Sequence, residues 1–128
     1  MATRQEILTE VKQTFGIVPQ WIDQMPEGAV QGFWGMARDW WLKETKIPNK
    51  YKELIGLAVS GATRCKYCTL FHTEAARLFG ATDQEIAEAS TMGGLTMFAS
   101  TFINAQQMDY EKFRQETKEI VAHLKSKK

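Results

Sequence analysis

Cys65 and Cys68 are the only two cysteines of the chain, three residues apart, and His72 follows four residues later. A thiol acts as a nucleophile or metal ligand only as its thiolate, so the question is what stabilises that charge. If a helix opens near Cys65, both sulfurs lie in or near its first turn. Unpaired backbone N–H groups and the positive end of the helix dipole favour the thiolate there. On such a helix Cys68 and His72 share a face. The imidazole is then within reach of the thiol, directly or through one water, and can serve as its general base. The same face continues through Ala75, Ala76 and Phe79, which puts His72 on the inward stripe. Two sulfurs one turn apart can also close a disulfide with little backbone movement, which suits reversible oxidation.

Each of these residues has a plainer reading. Two cysteines at a helix start can be small buried hydrophobes, and a lone histidine on an apolar face can be a satisfied core residue. Glu53 can be a surface carboxylate paired with Lys50, three residues before it. Cys-x-x-Cys with a histidine also offers three zinc ligands, but a closed zinc site wants a fourth. His123, the other histidine, belongs to a distant terminal helix, so neither a metal nor a cofactor is expected.

The elements that must position these residues read as helices throughout, with no strand of period two. Thr3-x-x-Glu6 is a capping box ahead of Ile7, Leu8 and Val11, with Gly16 as the stop. Pro19 opens a short helix through Trp21, Ile22 and Met25, which Pro26 ends. From about Glu27 to Lys43 runs an aromatic-rich helix carrying Phe33, Trp34, Trp40 and Trp41, read as core or subunit interface. Pro48 and Asn49 start a helix to about Ala62, and the next runs from near Cys65 to Gly80. Thr82-x-x-Glu85 is a second capping box, and Gly93-Gly94 is expected to interrupt or bend the helix that follows it. A last helix from about Tyr110 aligns Tyr110, Phe113, Thr117, Ile120 and Leu124. The expectation is an all-α, single-domain bundle of about six helices spanning residues 1–128, with a solvated Lys-rich tail at 125–128.

The pattern Glu53, eleven residues, Cys65-x-x-Cys68, three residues, His72 resembles the signature of the carboxymuconolactone decarboxylase, alkylhydroperoxidase D-like superfamily. Glu53-Leu54-Ile55-Gly56-Leu57-Ala58-Val59-Ser60 before the pair is similar to that family, as is Ala75 to Thr82 with Glu85 and Ile86 after it. The motif-bearing core runs from about residue 48 to 88. The resemblance implies a helical subunit that forms trimers or hexamers. It implies reduction of peroxides or disulfides through the cysteine pair, with electrons from a dithiol donor such as a lipoylated protein. Carried over, Cys68 attacks the peroxide and becomes a sulfenic acid, and Cys65 condenses with it. His72 accepts the thiol proton and Glu53 orients or recharges the histidine. The best-studied members carry a histidine just before the second cysteine. Tyr67 stands there instead, a candidate relay member whose phenol titrates near pH ~10. The decarboxylase branch shares the fold without this cysteine pair as its signature.

Composition narrows the setting. A chain of 128 residues with 44% hydrophobic and 24% charged content reads as one globular domain. A net charge of +1 gives no electrostatic case for nucleic acid or an anionic membrane. No signal peptide or spanning segment is read, so a cytoplasmic setting is expected. A redox-sensing, oligomeric binding protein is the second reading, motivated by the Trp34, Trp40 and Trp41 face. Lactone decarboxylation is the third. If the helix start activates the pair, a pH profile of iodoacetamide alkylation of the reduced chain will show one thiol reactive well below pH ~8.5, the ordinary cysteine value. Two ordinary thiols would count against activation.

Overall fold

The computed structural model describes residues 1–128 and is helical throughout. Helix α1 spans Arg4–Phe15, α2 Gln20–Asp23 and α3 Glu27–Met36, the last continuing into a π-helical turn at Ala37–Trp41. Then come α4 at Asn49–Ala62, α5 at Lys66–Leu78, α6 at Asp83–Ala105 and α7 at Tyr110–Ser126. Seven helices therefore stand where about six were expected, and the smallest is the single turn between Pro19 and Pro26. The lysines at the chain's end are exposed, but α7 continues into them as far as Ser126.

Local chemistry accounts for most boundaries. Both capping boxes form, with Thr3 accepting from the Glu6 N–H and Thr82 from the Glu85 N–H while each glutamate returns the bond. Gly16 and Gly80, at φ of +82° and +91°, supply the left-handed residue that lets the chain leave α1 and α5.

The N-terminal helices share one apolar core. Ile7 and Val11, one turn apart on α1, pack with Ile22, Val30, Trp34 and Ala37, all nearly inaccessible to solvent. Burial of each such aliphatic side chain stabilises by roughly 1.5–3 kcal/mol. Phe15 meets Trp34 edge to face with centroids 5.5 Å apart. The aromatic face expected on this stretch is thus divided. Trp34 is spent in the core, Trp41 turns toward α4, and only Trp40 is half exposed.

Helix α4 is the centre of the other half and packs against both α5 and α6. Gly93-Gly94 does not interrupt α6, which runs unbroken for 23 residues. A glycine costs a helix only about 1 kcal/mol relative to alanine, and here Gly93 has a use. A Cβ at that position would stand 3.0 Å from the carbonyl oxygen of Ala58, so the missing side chain lets α6 approach the α4 backbone. Lys50 at the start of α4 pairs with Glu85 of α6 at 2.9 Å; it does not pair with Glu53. No residue of α6 or α7 is buried, although Leu95, Phe98 and Phe102 of α6 and Phe113, Ile120 and Leu124 of α7 are large and apolar. No helix is long and apolar enough to cross a membrane.

The Thr82 backbone N–H, and then Lys50, hold the Glu85 carboxyl below the ordinary glutamate value. A depressed folded-state value contributes stability that is present above the unfolded value, near pH ~4.3, and is lost as pH falls through the folded value. Glu85→Gln is therefore expected to lower the melting temperature at pH 7, with the difference from wild type closing below about pH 4. Thermal melts of both proteins across that range check it.

Candidate functional site

The site is built on one face of α4. Asn49, Lys52, Glu53, Leu57 and Ser60 recur at helical spacing and all are buried, so the face that enters the protein is polar over its first two turns. Lys52, Glu53 and the amide nitrogen of Asn49 find partners on the segment that precedes α4, while Ser60 Oγ donates to the Leu57 carbonyl within α4 and Asn49 Oδ1 is left without a partner. Lys52 Nζ donates to the carbonyl oxygens of Trp40 and Lys43, both at 2.8 Å. Asn49 Nδ2 donates to the Leu42 carbonyl at 3.2 Å. The Leu42 and Lys43 carbonyls take no backbone N–H, as is usual past a helix end, whereas that of Trp40 also accepts the Lys43 N–H at 3.3 Å. The turn itself is closed by the Leu42 N–H on the Ala37 carbonyl at 2.9 Å, one residue wider than an α-helical bond.

Glu53 is 2% exposed, and its two oxygens go to different elements. Oε1 accepts the indole N–H of Trp41 at 2.8 Å. Oε2 lies 2.6 Å from Nδ1 of His72 on α5. The hydrogen-bond network assigns the histidine tautomer: with Nδ1–H donating to the carboxylate, Nε2 is the nitrogen left to accept a proton. Phe71 and Trp41 both lie edgewise or tilted beside the imidazole, with centroids 5.8 and 6.4 Å away.

Gly56 makes room for that ring. A Cβ there would stand 2.7 Å from Cε1 and 2.8 Å from both Nδ1 and Nε2 of His72. The face of the imidazole, at its Nδ1–Cε1–Nε2 side, therefore rests directly over Gly56 on the α4 backbone, three residues beyond Glu53.

The cysteines open α5. Cys65 is its N-cap, and its Sγ accepts the Cys68 N–H at 3.2 Å, one of the orphan donors of a helix start. Arg64, just before it, takes the left-handed conformation at φ 60°, which turns the chain sharply from α4 into α5. The pair is closed as a disulfide with Cα atoms 5.4 Å apart. Cys65 is half-buried and Cys68 exposed. Cys68 and His72 lie one turn apart on the same helix. A shallow groove of about 530 Å³ touches Cys65, Thr69, Leu70 and Thr73. A larger one of about 850 Å³ runs between α4 and α6 past Leu57, Met97 and Phe98, and the two share Gly61, Arg64 and Thr69.

Glu53 and His72 thus meet at hydrogen-bond distance across two helices, next to the turn that carries Cys65 and Cys68. Tyr67 does not join them: its ring is 77% exposed, with the Lys66 ammonium 5.3 Å from its centroid. His123 is exposed on α7. No three His, Cys, Asp or Glu side chains converge as a metal ion would need. Reading the sequence missed Trp41, Lys52, Asn49 and Gly56. One signal was available in the polar residues at 49, 52, 53 and 60, which fall on the same stripe as Leu57 and so mark a buried polar face.

Gly56→Ala is expected to push the imidazole away from Glu53, at an overpacking cost of about 1–3 kcal/mol, and to slow alkylation of the reduced thiols. Gly61→Ala on the same helix, where a Cβ would meet nothing within 4 Å, should be neutral or stabilising by about 0.5–1 kcal/mol. Thermal melts and alkylation rates of the two variants check this pair.

The comparisons with known proteins come to bear on this geometry. A family model described as the carboxymuconolactone decarboxylase family matches residues 28–106. The chain is similar in structure to the alkylhydroperoxidase AhpD core of Rhodospirillum rubrum, with a TM-score of 0.67 and 25% identity over 85% of this chain and 84% of that one. It is also similar to a protein from Methanobacterium thermoautotrophicum, with a TM-score of 0.59 and 31% identity over 69% of this chain and 97% of the other. No curated protein matches the chain.

Proposed function

From the premise that this chain belongs to the carboxymuconolactone decarboxylase family, we propose that it is a thiol oxidoreductase that reduces peroxides or disulfides through Cys65 and Cys68. The observation that carries the reading is the 2.6 Å contact of His72 with the buried Glu53 carboxylate, one helical turn from the cysteine pair. A proton acceptor held by a buried carboxylate is what a thiol needs beside it to react as thiolate.

In the proposed cycle His72 Nε2 takes the Cys68 proton, and the thiolate attacks the outer peroxide oxygen. An S–O bond forms, the O–O bond breaks, and the proton held on His72 leaves with the alcohol. Cys65 then attacks the Cys68 sulfenic acid; an S–S bond forms, the S–O bond breaks and water departs. A dithiol donor restores the pair by two thiol–disulfide exchanges. The sum is one hydroperoxide and one dithiol converted to one alcohol, one water and one disulfide. The roles of the two sulfurs follow their exposure: Cys68 is open to a substrate, while Cys65 sits half-buried behind it at the N-cap. With Tyr67 turned outward, proton transfer rests on His72 and Glu53 alone.

The Rhodospirillum rubrum neighbour is described as an alkylhydroperoxidase core, which supports this reading over lactone decarboxylation, a chemistry that leaves the cysteine pair without a role. The whole chain is taken as one cytoplasmic domain that needs no cofactor. A homo-oligomer, trimer or hexamer, is the proposed assembly. Its support is the second half of α6, where Leu95, Met97, Phe98 and Phe102 are all exposed and no residue is buried, since large exposed apolar patches are ordinarily covered. The electron donor is proposed to be a dithiol carrier such as a lipoylated protein.

Wild-type protein supplied with a dithiol and an alkyl hydroperoxide should consume many equivalents of peroxide per chain, and Cys68→Ser should abolish this. Turnover by Cys68→Ser at the wild-type rate would refute the assignment. With peroxide but no added dithiol, Cys65→Ser is expected to stop at the Cys68 sulfenic acid, trapped by dimedone, where wild type goes on to the disulfide, because no second thiol of the chain can displace the oxygen.

A further inference from the structure

Indole N–H groups donate and never accept. The Trp41 N–H on Oε1 of Glu53, at 2.8 Å, therefore commits that oxygen as an acceptor and leaves Oε2 to face His72. The backbone that delivers the indole is secured from the same turn of α4 that carries the carboxylate. Lys52, the residue before Glu53, grips the carbonyls of Trp40 and Lys43 on either side of Trp41. The π turn at Ala37–Trp41 adds one residue to the helical register just ahead of the indole, a feature often found at functional sites. Ring packing alone would not need the N–H, because the ring neighbours of Trp41 are Phe33 on its own helix and Phe71 and His72 on α5, at centroid distances of 6.4, 5.6 and 6.4 Å.

We propose that Trp41 is a positioning residue of the thiol site: its indole N–H holds the Glu53 carboxylate in the orientation that keeps His72 as the Nδ1–H tautomer, with Nε2 free for the Cys68 proton. The proposal rests on the thiol-redox reading above. Trp41 does not join the proton path; it acts through Glu53. The N-terminal half of the chain is thereby made a part of the site, since the donor arrives on the end of α3 while every other participant stands on α4 or α5.

Trp41→Phe keeps an aromatic ring and removes the N–H. The test is the iodoacetamide alkylation rate of the reduced protein against pH, for wild type, Trp41→Phe, Glu53→Gln and the double variant. Positioning through Glu53 requires Trp41→Phe to slow alkylation at pH 7 by about tenfold or more and to move the profile to higher pH. On the Glu53→Gln background the same substitution should change nothing further. Equal effects on both backgrounds would make Trp41 a packing residue and overturn the proposal. A second measurement needs no tryptophan variant. By nitrogen-edited NMR, the Trp41 indole N–H of the wild-type chain should exchange with solvent far more slowly than those of Trp21 and Trp40, which are 47% and 51% exposed. Exchange as fast as theirs overturns the proposal. Neither readout depends on peroxide turnover. Coupled alkylation without turnover would count against the peroxide reading alone, and turnover with additive substitutions against Trp41 alone.

Discussion

A carboxylate buried to 2% exposure has to be satisfied on both oxygens, and Glu53 imposes that requirement on three segments at once. Leaving such a group unpaired costs on the order of several kcal/mol. The helices meet where the two donors can arrive from opposite sides, the Trp41 indole from the end of α3 and His72 from α5. The imidazole comes that close only because position 56 carries no side chain. Register between α4 and α5 follows from the same contact: turning α5 by one residue would take His72 off Glu53 and Cys68 off the same face.

The chain is in effect two packed units. Helices α1 to α3 close around Ile7, Val11, Ile22, Val30 and Trp34, and α4 to α6 form the other unit around the α4 backbone. Their junction is polar. The carbonyls of Trp40, Leu42 and Lys43, around the end of the π turn, accept from Asn49 and Lys52, and Glu53 accepts the indole N–H. The stretch of α4 that reaches back to the helix end through Asn49 and Lys52 also carries Glu53, which meets the histidine. The Lys50–Glu85 pair and the close approach at Gly93 fix α6 on the other side of α4. The outer faces of α6 and α7 take no part in any of this.

Much of the fold is legible in local sequence, because the signals that end helices act within a few residues. Thr3 with Glu6, Thr82 with Glu85, Gly16, Gly80 and Pro48 each do at their position what their chemistry implies. Gly93-Gly94 misleads for the opposite reason. Whether a glycine pair breaks a helix or lets another helix approach depends on a partner 35 residues away, Ala58. The fate of Glu53 is equally non-local. Its sequence neighbour Lys50 offers a surface ion pair, but Lys50 goes to Glu85 and the carboxylate turns inward.

The sequence by itself determined the helical class, the order of the helices, and the placing of two cysteines and a histidine on one turn-spaced face, since these depend on periodicity and capping along a single segment. Only the tertiary structure decided how Glu53 is used, that Tyr67 faces away, and that Trp41 and Gly56 belong with the site. Those outcomes depend on the directions in which side chains leave three different helices. Such directions are set by packing between segments, here by a polar junction at a π turn whose extra residue no local pattern announces.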